Sequence, residues 1–81
     1  MKVLDKEGYS HIFFEDDDSF YISVLCGGIG VYDLTIKLTE KEKDDFLRER
    51  KLLLEFVNQV NSKPDEFKIR TIDKKFDFSN N

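Results

Sequence analysis

Tryptophan is absent from this sequence, and cysteine, histidine, proline and methionine occur once each. A single thiol, Cys26, cannot close an internal disulfide, so nothing marks the chain for an oxidising compartment. One histidine and one cysteine cannot build a structural zinc site, which needs a cluster of such ligands at fixed spacing. No apolar run approaches the roughly 18 residues of a membrane-spanning helix. Met1-Lys2-Val3-Leu4-Asp5 lacks the apolar stretch of a secretory signal. These absences predict a cytoplasmic chain with no membrane contact. A basic excess is missing too. Thirteen Lys and Arg face seventeen Asp and Glu, a net charge of -4. Nucleic-acid binding needs a basic face, so that partner class is set aside, while a basic protein remains a good electrostatic match. With 81 residues there is one domain, 1–81, and little room for a deep cleft.

What is present reads as strands followed by helix. Tyr9 to Glu15 and Phe20 to Cys26 are rich in aromatic and β-branched residues. Asp16-Asp17-Asp18 separates them as a turn. Val31 to Leu38 alternates as a third strand, after the turn Gly27-Gly28-Ile29-Gly30. Matching apolar sets across the hairpins predicts the pairs Phe14–Phe20, Ile12–Ile22, Val24–Tyr32 and Ile22–Leu34. The buried face is then Ile12, Phe14, Phe20, Ile22, Val24, Tyr32, Leu34, Ile36 and Leu38. A two-residue Gly-Gly turn would put Asp33 opposite Ile22, so a longer loop is preferred there, with Gly30 in a bulge.

Thr39 and Glu42 form a capping box at the start of a helix. Phe46, Leu53, Phe56, Val57 and Val60 share one helical face, and Arg50 falls inside that stripe. The region is therefore one long helix or two short ones broken near Arg50. Asn61-Ser62-Lys63-Pro64 ends it, Pro64 opens a further single turn, and Lys68 to Ile72 reads as a last strand. The tail 73–81 is expected to fray. The predicted fold is α+β: an antiparallel sheet of three to four strands, one helix face packed on it, in the order β-β-β-α-β.

Chemistry-bearing patterns fail their geometric tests. The glycine cluster is followed by a strand, where a phosphate loop requires a helix. His11, Ser23 and Asp33 fall side by side in this register, but the serine lies between the other two, and a triad needs the histidine there. Glu15 to Asp18 could attract Ca²⁺ but lacks the spaced ligands and glycine of a dedicated loop. Cys26 reads as a small buried hydrophobe. The expectation is a non-enzyme with no cofactor and no metal. Surface remains. The outer sheet face would carry Tyr9, His11, Phe13, Tyr21, Ser23, Leu25, Val31, Asp33, Thr35 and Lys37, which is unusually apolar for an open face. A second copy of the chain, a different protein, or the chain's own ends could cover it.

The run Tyr21-x-Ser23-Val24-Leu25-Cys26-Gly27, then Val31-Tyr32-x-Leu34-x-Ile36-x-Leu38-Thr39-x-x-Glu42, then Pro64-x-x-Phe67, resembles small bacterial immunity proteins of polymorphic-toxin and contact-dependent inhibition systems. The likeness spans residues 19 to 72. It implies a small, acidic, non-catalytic cytosolic protein that blocks a cognate toxin domain, commonly a basic one. The resemblance transfers no binding residue; the chain's own surface offers the acidic loop Glu15, Asp16, Asp17 and Asp18, its only run of four like charges, as the candidate partner-binding site. To these the outer face adds Phe13, Tyr21, Ser23, Leu25 and Asp33. The alternative is a homo-oligomeric subunit, a homodimer joined through that same face.

Overall fold

Four strands form one open antiparallel sheet in the order β1-β2-β3-β4, with helices following. The computed structural model describes residues 1–8, 10–27 and 32–72. Strand β1 is Lys2–Glu7, β2 His11–Asp16, β3 Ser19–Cys26 and β4 Tyr32–Lys37. Helix α1 is Glu40–Arg48, α2 Arg50–Ser62 and α3 Pro64–Phe67, followed by a 3-10 turn, Lys68–Arg70. The class is α+β as the sequence indicates. The element order differs: a strand is added before the others, and the last strand is lost.

Strand β1 escapes a reading based on alternation because four of its six residues are charged. Charged side chains suit a sheet edge, where they discourage pairing with a further strand. It also carries a bulge: Val3 pairs with Phe14 and Asp5 with Phe13, leaving Leu4 as the extra residue. The bulge resets the alternation. Val3 faces away from the helices, while Leu4 packs against the core and Asp5 reaches α2.

The β2–β3 register corrects the sequence expectation. Phe14 pairs with Tyr21, Phe13 with Ile22 and His11 with Val24, around the two-residue turn Asp17-Asp18. The expected pairs Phe14–Phe20 and Ile12–Ile22 needed a three-residue loop. Asp17 and Asp18 adopt φ of 50° and 64°, the left-handed pair of a type I′ turn, whose twist matches the strands it joins. One residue fewer in the turn turns every β2 side chain to the opposite face. Phe13 and His11 therefore point toward the helices, and Ile12 and Phe14 point away. The β3–β4 pairing keeps the expected faces but slides by two residues. Val24 pairs with Leu34 and Ile22 with Ile36, where Val24–Tyr32 and Ile22–Leu34 were expected. Gly30, proposed as a bulge, lies outside the described residues, as do Tyr9, Val31 and the tail 73–81.

The core lies between the sheet and α1–α2. Phe13, Ile22, Val24, Cys26, Leu34 and Ile36 meet Leu38, Phe46, Leu53, Val57 and Val60. Phe13 stands edge-on to Phe46, with ring centroids 6.0 Å apart. The capping box at Thr39 forms as read: Glu42 N–H donates to Thr39 Oγ1, and Thr39 N–H donates to Glu42 Oε1. The helical region breaks at Glu49, next to the Arg50 that interrupts the apolar stripe. Pro64 occupies the first turn of α3. Lys68 to Ile72 does not extend as a strand. Its first three residues continue helically, and only Thr71 bridges Ile36, with Ile72 N–H donating to Thr35 O at 2.9 Å. Arg70 explains the turn, because its guanidinium folds back to Glu42 and to the Lys37 carbonyl.

Candidate functional site

The residues proposed for partner binding divide among three environments. Phe13 is 1% exposed and belongs to the core, so it is not a surface residue. The change of register that moves it also moves His11 to the helix side, which dissolves the His11, Ser23, Asp33 row. Tyr21, Ser23, Leu25 and Asp33 do share the face away from the helices. That face is not open as expected. Phe14 is 0% exposed there, stacked on Tyr21 with centroids 5.4 Å apart, and Tyr21 and Ser23 are each 8% exposed within the single chain. Ser23 Oγ accepts from Thr35 Oγ1 at 3.2 Å. Leu25 is half-buried and Asp33 is exposed.

The acidic loop is the third environment. Strand β1 alters its charge, because it lays Lys2 opposite Glu15, and the terminal amino group lies 3.6 Å from Asp16 Oδ1. Asp17 and Asp18, at the tip, are exposed. The fully presented part of the loop is therefore the turn pair rather than the run of four.

Sequence reasoning did not anticipate a charged cluster joining β1, β2 and α2. Arg50 Nε donates to Asp5 Oδ2 at 2.8 Å and Nη2 donates to Oδ1 at 3.2 Å, while Glu7 Oε1 lies 3.3 Å from Nη2. His11 is buried beside them. Its Nδ1 lies 3.1 Å from Ser10 Oγ, but its Nε2 sits 3.5 Å from Asp5 Oδ1 and makes no hydrogen bond. The signal available was the lone Arg50 in an apolar stripe. Its partners lay in a segment with no strand signature. The hydrogen bond from Arg50 holds the Asp5 carboxyl below its ordinary pKa, against the cost of its burial. A second such pair joins α1 to the 3-10 turn. Burial opposes the charge of Glu42, but the Arg70 fork and the Thr39 amide outweigh it and lower its pKa as well.

Both carboxyls bind protons less readily when folded than when unfolded. Their contribution is complete above the unfolded carboxylate range, near pH 4, and is lost as pH falls through the depressed folded values. Denaturant melts from pH 7 to pH 3 should show stability falling over that acid window. Asp5→Asn and Glu42→Gln should each flatten the fall, and profiles parallel to the parent would show that neither carboxyl is coupled to folding.

Burial pushes the Cys26 thiol up, with Asp33 adding to the shift, so Cys26 is a poor nucleophile placed in the core. A groove of about 330 Å³ lies between α2 and α3, lined by Asn58, Gln59, Ser62, Lys63, Glu66 and Phe67. The sole histidine, which could activate Ser62, lies elsewhere. Among the described residues no group of three or more His, Cys, Asp or Glu is gathered as a metal ion would require, and no helix is long and apolar enough to cross a membrane. Comparison with protein-family models, with curated proteins and with solved structures returned no match to this chain.

Proposed function

We propose that this domain is an immunity-type protein, a non-catalytic inhibitor that neutralises a cognate bacterial toxin domain in the cytosol by stoichiometric binding. The observation that carries the reading is the hairpin tip. Asp17 and Asp18 occupy left-handed positions where Asn-Gly is the favoured pair. A non-glycine residue in that region costs stability, and neighbouring carboxylates repel one another. Both side chains are exposed, so the turn presents two carboxylates at the tip of the hairpin. An acidic tip on a chain of net charge -4 would speed encounter with a basic partner. The burial of Tyr21 and Ser23 within one chain counts against the alternative of self-association through the outer sheet face.

Replacing Asp17 by Asn and Asp18 by Gly separates the two roles of the tip. The favoured type I′ pair should raise stability by about 1 kcal/mol. Association with a basic toxin domain should slow, most at low salt. The toxin to use is the C-terminal domain of a large protein encoded directly upstream, whose expression arrests growth and whose effect this chain relieves. Protection with an unchanged on-rate would remove the tip from the interface. No protection would sink the inhibitor reading itself.

A further inference from the structure

The junction between α1 and α2 is a single residue. Glu49 is extended, with φ -144° and ψ 111°, between two helices that are otherwise continuous in sequence. Helix propensity does not call for a break. Phe46 to Leu52 contains no glycine, no proline and no β-branched residue, and Leu, Arg, Glu and Lys are among the best helix formers. The new start is poorly finished. Glu49 makes no side-chain cap, the first turn of α2 holds no acid, and Arg50 and Lys51 place cations at the end where the helix dipole disfavours them. The amide of Leu52 reaches only to Glu49 O, at 3.1 Å, and the first N–H groups of α2 lack the acceptors a preceding turn would supply.

We propose that Glu49 is a swap hinge, through which two copies of this chain exchange the segment from Arg50 onward and residues 40–62 become one continuous helix in each. The inference is independent of the proposed function. A continuous helix over 40–62 would measure about 34 Å at 1.5 Å per residue. On it Phe46 and Phe56 would be separated by about 15 Å along the axis, whereas their rings lie 5.3 Å apart in the single chain, so straightening carries α2 away from its own sheet. The second half of the helix must project to a neighbour. There every contact of α2 can be remade between copies: Leu53, Val57 and Val60 on the inner sheet face, Asn61 Nδ2 donating to the Leu25 carbonyl, and Arg50 on Asp5. The exchange conserves those interfaces and adds the helical hydrogen bonds that the break forgoes. A short hinge whose straightened form is the better local structure is the situation in which swapping is least costly.

Glu49 is exposed, so Glu49→Ala and Glu49→Gly should both leave the fold intact. Each dimer contains two hinges, and Gly is poorer than Ala in a helix interior by at most about 1 kcal/mol, so the dimerisation constants should differ by up to about 30-fold. The chains are refolded at millimolar and micromolar concentrations and weighed by size exclusion with light scattering. The expected result is a dimer that forms on concentrated refolding, most with Glu49→Ala and least with Glu49→Gly, and that persists on dilution. In it the Glu49 ¹³Cα secondary shift should turn from the extended to the helical sign. Either of two results overturns the proposal: Glu49→Ala remaining monomeric after millimolar refolding, or a dimer in which Glu49 keeps its extended shift.

Discussion

Phe13→Ala should cost about 3–5 kcal/mol, and Ile12→Ala about 1 kcal/mol. Phe13 is buried on the helix side of β2, edge-on to Phe46 and paired across the sheet with Ile22. Truncation leaves a cavity in the centre of the core, which the sheet cannot collapse to fill. Ile12 is only half-buried, on the other face. A domain of this size has about 4–12 kcal/mol in all, so Phe13→Ala should be unfolded or nearly so at 37 °C. The comparison is diagnostic. A three-residue loop at Asp16 to Asp18 would exchange the two residues and reverse the ranking. Thermal melts of the two variants showing Ile12→Ala as the weaker would return the hairpin to that longer loop.

Glu42→Ala should cost about 2–3 kcal/mol, more than a helix-surface glutamate usually would. Its Oε1 accepts from the Thr39 amide at 2.9 Å, and both oxygens receive Arg70, at 2.9 and 2.6 Å. One carboxylate thus finishes the start of α1 and anchors the turn that carries Thr71 to the edge of β4. Removing it leaves the amide and the guanidinium without their acceptor. Glu42→Gln keeps an oxygen for the cap and loses the charge, so it should fall between parent and alanine. Chemical denaturation of the three proteins gives the order. An alanine variant within about 0.5 kcal/mol of the parent would mean that water replaces both contacts.

The elements that carry their own signal were legible in the sequence. Thr39 and Glu42 announce a capped helix, Pro64 announces a first turn, and the spacing of Phe46, Leu53, Val57 and Val60 announces the packed face. Arg50 inside that spacing left one helix or two open, and the structure has two, broken at Glu49. The hairpin of β2 and β3 was legible as a hairpin and illegible in register. Three aspartates read equally as a three-residue loop or as a two-residue turn with Asp16 still in strand, and only φ at Asp17 and Asp18 separates the two. The consequence reached the site. Phe13 was placed outside and Phe14 inside because both apolar neighbours offer a plausible core residue. Strand β1 was illegible for a different reason. Its residues are chosen for an edge, and the bulge at Leu4 erases what alternation they have. With β1 unseen, the Asp5–Arg50 pair could not be read either, nor the lysine set opposite Glu15. The mistaken strand at Lys68 to Ile72 was an alternation read on residues that Arg70 pulls into a turn. Ile69, which alternation would have buried on one face, is 93% exposed.

The order of strands in the sheet also fixes the order in which the molecule can be assembled. Each of the four pairs with its neighbour in sequence, so the whole sheet can grow by successive local closures. Such topologies fold quickly because little chain entropy is spent on each closure. The apolar side of that sheet, from Phe13 to Leu34, has no cover until Leu53, Val57 and Val60 arrive from much later in the chain. A chain whose sheet closed before α2 docked would expose that face, and exposed apolar surface promotes aggregation. The charged and bulged β1 lines one edge of the sheet. A substitution that makes β1 a better strand at an exposed position, such as valine for Lys6, should therefore lower the yield of folded protein even where the finished domain tolerates it.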